Sequence, residues 1–440
     1  MKTFARGIHP PENKRSTEDK PIKEATAPRR VILLLQQNLG CPNQPLVKVG
    51  DEVAEGQKIA DADKFVAAPI HASISGKVVA IENASIVIEG QGAVVMGQGS
   101  QWSVDELSPE QIRKIVREAG IVGLGGAAFP THVKLSPPPE KKIDTLIING
   151  CECEPYITAD HRMMLERPAE IILGARAMAK ATGASRIIVG IESNKPDAVE
   201  KMKSEILNPK SETNSKFEII MLKTKYPQGG EKMLIKAILD REVPSGGLPM
   251  DIGVVVQNVG TAIAVAEAIK FGKPLIRRVL TVTGSGVREP QNLLVRIGTT
   301  FKEIIDQCGG LTEDATKVIM GGPMTGLAIS SLDVPVVKAT NCILALNRKD
   351  LPAGRHGAKV YEEKDCIRCG RCIKSCPVGL MPNFLADFAK LKNWDKTDEY
   401  HAADCIECGN CAYVCPSRIF LVQYFKVAKR ELQIRRAVCR

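Results

Sequence analysis

The chain has 440 residues, 44% hydrophobic and 25% charged, a globular composition on a scale that asks for two to four cores rather than one. No apolar run approaches the roughly 20 residues needed to cross a bilayer. Fourteen cysteines, in a long chain whose first residues (MKTFARGIHPPENKRSTEDK) read as lacking a secretory leader, point to metal chemistry rather than a disulfide scaffold.

The formal charge of +10 sits mostly at the ends: eight Lys/Arg against four Asp/Glu in residues 1–30, and six against one in residues 426–440. The nearly neutral body argues against a nucleic-acid groove. Basic ends suit an anionic membrane surface, an acidic partner or plain solvation. Residues 1–30 read as a polar basic arm lying on another body, and residues 426–440 as a basic tail.

From Val31 to about residue 95, short apolar segments (RRVILLL, APIHASISGKVVAIE, SIVIEG) alternate with turns at Gly50, Gly56 and Gly76, which predicts a small all-β module. The segments VGDEVAEGQKIA and SGKV resemble barrel-sandwich domains of the biotinyl/lipoyl type, with Asp63-Lys64 near the hairpin that carries a swinging cofactor there. The Met-Lys-Met of biotin carriers is absent, and Lys64 reads as a solvated lysine; His71 reads as a packed strand residue. Ser108-Pro109 then opens a helix as N-cap and first helical residue. Over 105–275 buried strands (TLIING, RIIVGIE, FEIIMLK, IGVVVQN) alternate with helical spacings, predicting an α/β domain with a largely parallel sheet and ligands at the carboxyl ends of its strands. A third module, strands around a short helix, spans 276–345. AGRHGAKVYEEK, Ala353 to about Lys364, reads as the linker into a cysteine-rich domain, 353–425.

That domain carries two matching runs, CIRCGRCIKSCP from Cys366 and CIECGNCAYVCP from Cys405. In the C-x2-C-x2-C-x3-C-P form three thiolates hold one 4Fe-4S cluster and the fourth reaches across to the other. The pattern therefore groups Cys366, Cys369, Cys372 and Cys415 on one cluster, and Cys405, Cys408, Cys411 and Cys376 on the second. Zinc is the rival, but its sites split four ligands into two pairs and do not duplicate a four-cysteine run closed by proline. The apolar stripe Leu421, Phe425, Ala428 and Leu432 in the last segment suits either a helix docked at a membrane surface or a core helix of the cluster domain.

Four stretches of the α/β domain could converge on one ligand. GLGGAAFPTHVK offers Gly123, Gly125 and Gly126 for backbone approach to a phosphate, with Phe129 able to stack on a ring and Lys134 able to neutralise charge. It follows a helix and lacks the G-x-G-x-x-G spacing, so it is not a dinucleotide fingerprint. NGCECEP places Asn149, Glu152 and Glu154 at a strand end, YPQGGEK forms a strand-loop-helix junction, and VQNVGT puts Gln257 and Asn258 ahead of a helix. Each alone could be an ordinary turn.

Together these stretches resemble the flavin- and NADH-binding subunit of respiratory complex I. Leu124 stands where that family commonly has arginine, Cys151 and Cys153 replace its aspartate and serine, and Gly230 and Gln257 also depart from it. The full order is a barrel-sandwich module, a complex I-type flavin α/β domain, a β-grasp-like SLBB module and a two-cluster ferredoxin-like α-helical domain. That order resembles the C-subunit family of Rnf electron transport complexes. The resemblance implies non-covalent FMN and NAD(H) at Gly123, Gly125, Gly126, Phe129, Lys134, Asn149, Glu152, Glu154, Tyr226, Gly229, Glu231 and Asn258, with two 4Fe-4S clusters on the eight cysteines. It further implies an NAD-linked oxidoreductase subunit, peripheral on the cytoplasmic face of a bacterial membrane. Its partners would be the other subunits of an ion-translocating complex, with ferredoxin reached indirectly. A flavin-dependent cobalamin reductase shares most of these modules, and a ferredoxin-like carrier without a nucleotide site would use only the last. Cys151 and Cys153 read as structural, and Cys41, Cys308, Cys342 and Cys439 as packing or surface thiols.

Overall fold

The computed structural model describes residues 1–90, 102–208, 217–350 and 363–438; most of the linker and Cys439 lie outside them. At its centre is a four-stranded parallel sheet in the order Phe217–Leu222, Arg186–Glu192, Thr145–Gly150, Val254–Asn258. Three of these strands, Arg186–Glu192, Thr145–Gly150 and Val254–Asn258, are aliphatic runs buried on both faces, as a sheet covered by helices requires, while the edge strand Phe217–Leu222 leaves Glu218 and Met221 exposed. The helix Val259–Phe271 is buried nearly all round and packs on Pro168–Thr182, where a side chain at Gly174 would run into the Ala262 backbone. The Pro109–Glu118 helix starts as expected: Ser108 accepts from the Gln111 N–H at 3.2 Å while Gln111 accepts from the Ser108 N–H at 2.7 Å.

Two small antiparallel sheets form the β module; one runs Arg30–Leu34, Ser85–Gly90, Gly76–Glu82, Glu52–Val53. His71, on a strand of the other, is buried as a packed residue, and burial pushes its imidazole down to about 3. Lys64 is exposed in a loop.

The third module is a six-stranded mixed sheet around the helix Phe301–Gln307, and one of its edge strands, Ile22–Glu24, comes from the N-terminal arm. The arm therefore lies on its own chain. Phe4 and Ile8 are buried, Ile8 exchanges backbone hydrogen bonds with Tyr226 at 3.0 and 2.9 Å, and the Thr17 hydroxyl meets that of Thr158 at 2.8 Å. Its polar composition hid this, because an irregular strap shows no periodicity.

The cysteine-rich domain is helical. Its last helix, Leu421–Val438, buries Leu421, Phe425, Ala428 and Leu432 in that domain's own core. The stripe is thus internal, and what faces outward is Lys426, Arg430, Arg435, Val427 and Ile434. Cys308 and Cys342 are buried in apolar cores, and no disulfide joins any of the described cysteines.

Candidate nucleotide and iron-sulfur sites

The candidate nucleotide residues gather at the carboxyl ends of the parallel strands. Asn149 and Asn258 end neighbouring strands and are paired in register. Asn258 caps the Val259–Phe271 helix by accepting from the Gly260 N–H at 2.8 Å, and donates to Asp160 Oδ2 at 2.6 Å. The Gly123–Phe129 loop lies against this helix start; a Cβ on Gly125 would come within 2.8 Å of Asn258 Nδ2, so a side chain there would have to displace Asn258. Gly126 faces open space. The Gly123 N–H bonds to Phe129 O at 2.9 Å and the Leu124 N–H to Thr261 Oγ1 at 3.0 Å. Among the described residues neither the Gly125 nor the Gly126 N–H has an acceptor in the protein. Free amides beside a 13-residue helix start, with the buried Gln257 Nε2 also unpartnered, fit an anionic, hydrogen-bonding ligand such as FMN. Phe129 is half-buried at the loop's end.

The other loops hold one another. Asn149 donates to Gly229 O at 2.8 Å and accepts from the Cys151 N–H at 3.1 Å. Lys134 pairs with Glu231 at 2.6 Å and donates to Val256 O at 3.2 Å. Glu152 sits at φ 48°, a turn only over-determined surroundings hold, and its carboxylate caps the Ala159–Glu166 helix through the Asp160 and His161 N–H groups at 2.6 and 3.2 Å. Glu154 accepts from the Met324 and Thr325 N–H groups at 2.7 and 3.2 Å, so the third module reaches into the site. Both Cys151 and Cys153 are thiols raised above their ordinary range by burial. Cys153 accepts from the Gly229 N–H at 3.2 Å, a structural part.

Sequence reasoning missed four residues. Lys14 of the arm is buried and donates to three carbonyls of the acidic loop, Glu152 at 2.9, Glu154 at 3.1 and Ile157 at 2.5 Å. Asp160 stands five residues past the NGCECEP stretch, and burial, then Glu152, pushes it up to about 7. Lys195 and Glu192 form a buried pair at 3.6 Å, with Lys195 also donating to Cys151 O at 2.7 Å. Glu192 lines a cavity of about 160 Å³ with His9, Glu12, Lys14, Lys225 and Tyr226.

Burial outweighs Lys195 and raises Glu192 to about 7 from 4.5. The folded chain therefore binds this proton more tightly. The contribution to stability is complete below pH 4.5 and is lost as pH rises through about 7. Glu192→Gln should flatten the fall in denaturation midpoint between pH 4.5 and 7, leaving the share due to Asp160 and Glu154, carboxyls that burial also raises. An unchanged slope would remove Glu192 from this role.

The two cysteine runs fold alike. Arg368, Gly370 and Gly379 in the first and Glu407, Gly409 and Arg418 in the second all take positive φ at matching positions. Cys415 joins Cys366, Cys369 and Cys372 around one cavity, and Cys376 lies close enough to Cys405, Cys408 and Cys411 to raise their thiols electrostatically. The crossed grouping expected from the spacing is thus the spatial one. Burial pushes Cys405 up to about 11 and Cys408 up to about 12, so thiolates here require a cationic centre among them. Among the described residues no three His, Cys, Asp or Glu groups close around a single ion. The Leu380 and Glu407 N–H groups point at the Cys376 and Cys405 sulfurs at 3.3 and 3.4 Å. The donor set fits two iron-sulfur clusters.

The second run abuts the nucleotide site: Tyr226 Oη donates to Cys408 O at 2.9 Å, and Asp404 accepts from Ser245 Oγ at 2.6 Å. The first run faces out, with Cys366 and Cys369 exposed and Ile367 68% exposed.

Comparisons agree module by module. The RnfC barrel sandwich hybrid domain matches residues 2–98, the Nuo51 FMN-binding domain 116–267, the SLBB domain 279–328 and a 4Fe-4S dicluster domain 358–416. An NAD+-reducing NiFe-hydrogenase structure shares the fold at a TM-score of 0.52 and 18% identity, covering 74% of this chain and 63% of that one. The C-subunit of the proton-translocating ferredoxin:NAD(+) oxidoreductase complex of Clostridium ljungdahlii is 48% identical, with 98% of this chain and 94% of that protein covered. Its Na(+)-translocating counterpart from Acetobacterium woodii is 44% identical over 98% and 97%. This chain therefore belongs to the C-subunit family of ion-translocating ferredoxin:NAD(+) oxidoreductase complexes.

Proposed function

We propose that the chain is the NAD(H)-linked electron-transfer subunit of such a complex. The observation that carries this reading is the seating of the second cysteine run, through Cys408 O, on Tyr226 of the nucleotide site. When bound, FMN exchanges a hydride with NAD(H) and releases electrons singly, while each 4Fe-4S cluster carries one.

The chain's own residues bind and orient. Gly125 and Gly126 present amides to the flavin phosphate, Lys134 adds a nearby cation, and Asn149, Tyr226, Gly229, Glu231 and Asn258 shape the flavin pocket. Phe129 offers a ring face to NAD(H), and Glu152 and Glu154 act there by fixing the loop, their carboxylates being committed to the start of the Ala159–Glu166 helix and to the Gly322–Thr325 turn. Cys405, Cys408, Cys411 and Cys376 hold the inner cluster. Cys366, Cys369, Cys372 and Cys415 hold the outer one, at the surface where a partner protein would meet it.

Ion translocation would fall to those partners, since no helix among the described residues is long and apolar enough to cross a membrane. We place the chain at the cytoplasmic face of the membrane, docked through protein contacts and its outward basic residues, with ferredoxin reached through other subunits. The domain limits 31–95, 105–275, 276–345 and 353–425 serve as working boundaries.

Anaerobically purified chain should release FMN on denaturation, reduce ferricyanide with NADH and leave cobalamin unreduced. Absence of both flavin and ferricyanide reduction would sink the reading; cobalamin reduction would favour a reductase.

A further inference from the structure

Two cations buried behind the glycine loop come from the third module rather than from the loop itself. Lys338 donates to Gly120 O and Pro69 O, each at 2.7 Å, tying three modules together just ahead of the loop. Arg278, 5% exposed, donates from Nε to Val279 O at 3.3 Å, from Nη1 to Lys338 O and from Nη2 to Leu124 O at 3.3 Å. Among the described residues no carboxylate comes within ion-pair distance of it; Asp160 acts on it through space. A guanidinium stays protonated even where burial disfavours its charge, so a full positive charge is held beneath the loop without a direct counter-ion.

The contact with Leu124 O has a directional consequence. In a trans peptide the C=O and N–H point opposite ways. Anchoring the Leu124 carbonyl inward on Arg278 turns the Gly125 N–H outward, and the cation polarises that same peptide, strengthening the N–H as a donor. The Leu124 N–H is meanwhile committed to Thr261, so the anion-facing amides begin at the peptide Arg278 holds.

We infer that Arg278 is a positioning residue for the anion bound by the glycine loop, orienting and polarising the Leu124–Gly125 peptide from behind; this rests on the flavin reading above. The ligand feature it recognises is a phosphate monoester, not the ring system. It also supplies from another module the cation that the loop lacks at Leu124.

The test is a fluorescence titration of the full iron-sulfur-loaded chain, stripped of flavin, with FMN and with riboflavin, which lacks the phosphate. Arg278→Gln should weaken FMN about 10- to 100-fold, as loss of a charge-assisted contact does, and riboflavin by less than about twofold. Arg278→Lys, which keeps the charge without the fork, should fall between and carries the test if the glutamine variant does not fold. Equal losses for both flavins, or no loss for either, would overturn the inference while leaving the flavin reading intact. An unaltered chain that binds neither flavin would overturn both.

Discussion

A Cys376→Ala chain is expected to lose the cluster held by Cys405, Cys408 and Cys411 and to keep the one beside Cys366, even though Cys376 stands in the first sequence run. Iron content should fall from about eight to about four per chain, since each cubane cluster needs its fourth thiolate. The remaining cluster should no longer be reduced by NADH, because the lost one is the set that adjoins Tyr226. Flavin content and ferricyanide reduction should survive. Cys415→Ala should do the reverse, emptying the exposed set lined by Cys366, Cys369 and Cys372 while leaving a cluster that NADH still reduces. Iron analysis and electron paramagnetic resonance of dithionite- and NADH-reduced samples distinguish these outcomes. If Cys376→Ala instead removed the outer cluster, the crossed grouping would be wrong.

Lys14→Met should have the second largest effect. One ammonium satisfies three carbonyls of the acidic loop, and methionine fills similar space while leaving all three without a donor. A buried unsatisfied group costs about 1–3 kcal/mol. Relief of the buried charge offsets part of this, so a net loss of about 2–4 kcal/mol in chemical denaturation is expected. The functional readout is more specific. Glu152, at a strained φ of 48°, and Glu154 lie on the loop that Lys14 holds. Loosening it should raise KM for NADH about 10-fold, the scale of one lost hydrogen bond to a charged group, and lower kcat much less, with FMN retained. A variant with wild-type KM and stability would show that the arm merely covers the domain.

Much of the architecture was legible because it is written in local patterns. The parallel strands carry short aliphatic runs between helical spacings, and the crossed grouping of the eight cysteines follows from the spacing of a duplicated four-cysteine run. The convergence of Asn149 and Asn258 also followed from strand-end position. What was not legible is contact between segments far apart in sequence. The arm reads as lying on some other body, and its sequence does not say that the body is its own chain, because its buried residues, Phe4, Ile8, Lys14 and Thr17, have no period. Its strand Ile22–Glu24 gains meaning only from Gln291–Arg296, on which it pairs. Glu154 looks like a free ligand until the Gly322–Thr325 turn is seen closing on its carboxylate, where a side chain at Gly322 would clash with it. The stripe of the final helix could not say which body covers it; the cluster domain does.

The central claim is that one chain joins an NAD(H)-reactive flavin to two cysteine-held clusters. The most direct test is electron paramagnetic resonance of anaerobically purified protein reduced with NADH, alongside flavin analysis. Stoichiometric FMN and two interacting 4Fe-4S signals are the predicted result. Clusters that only dithionite reduces, in a chain that releases no flavin, would contradict it.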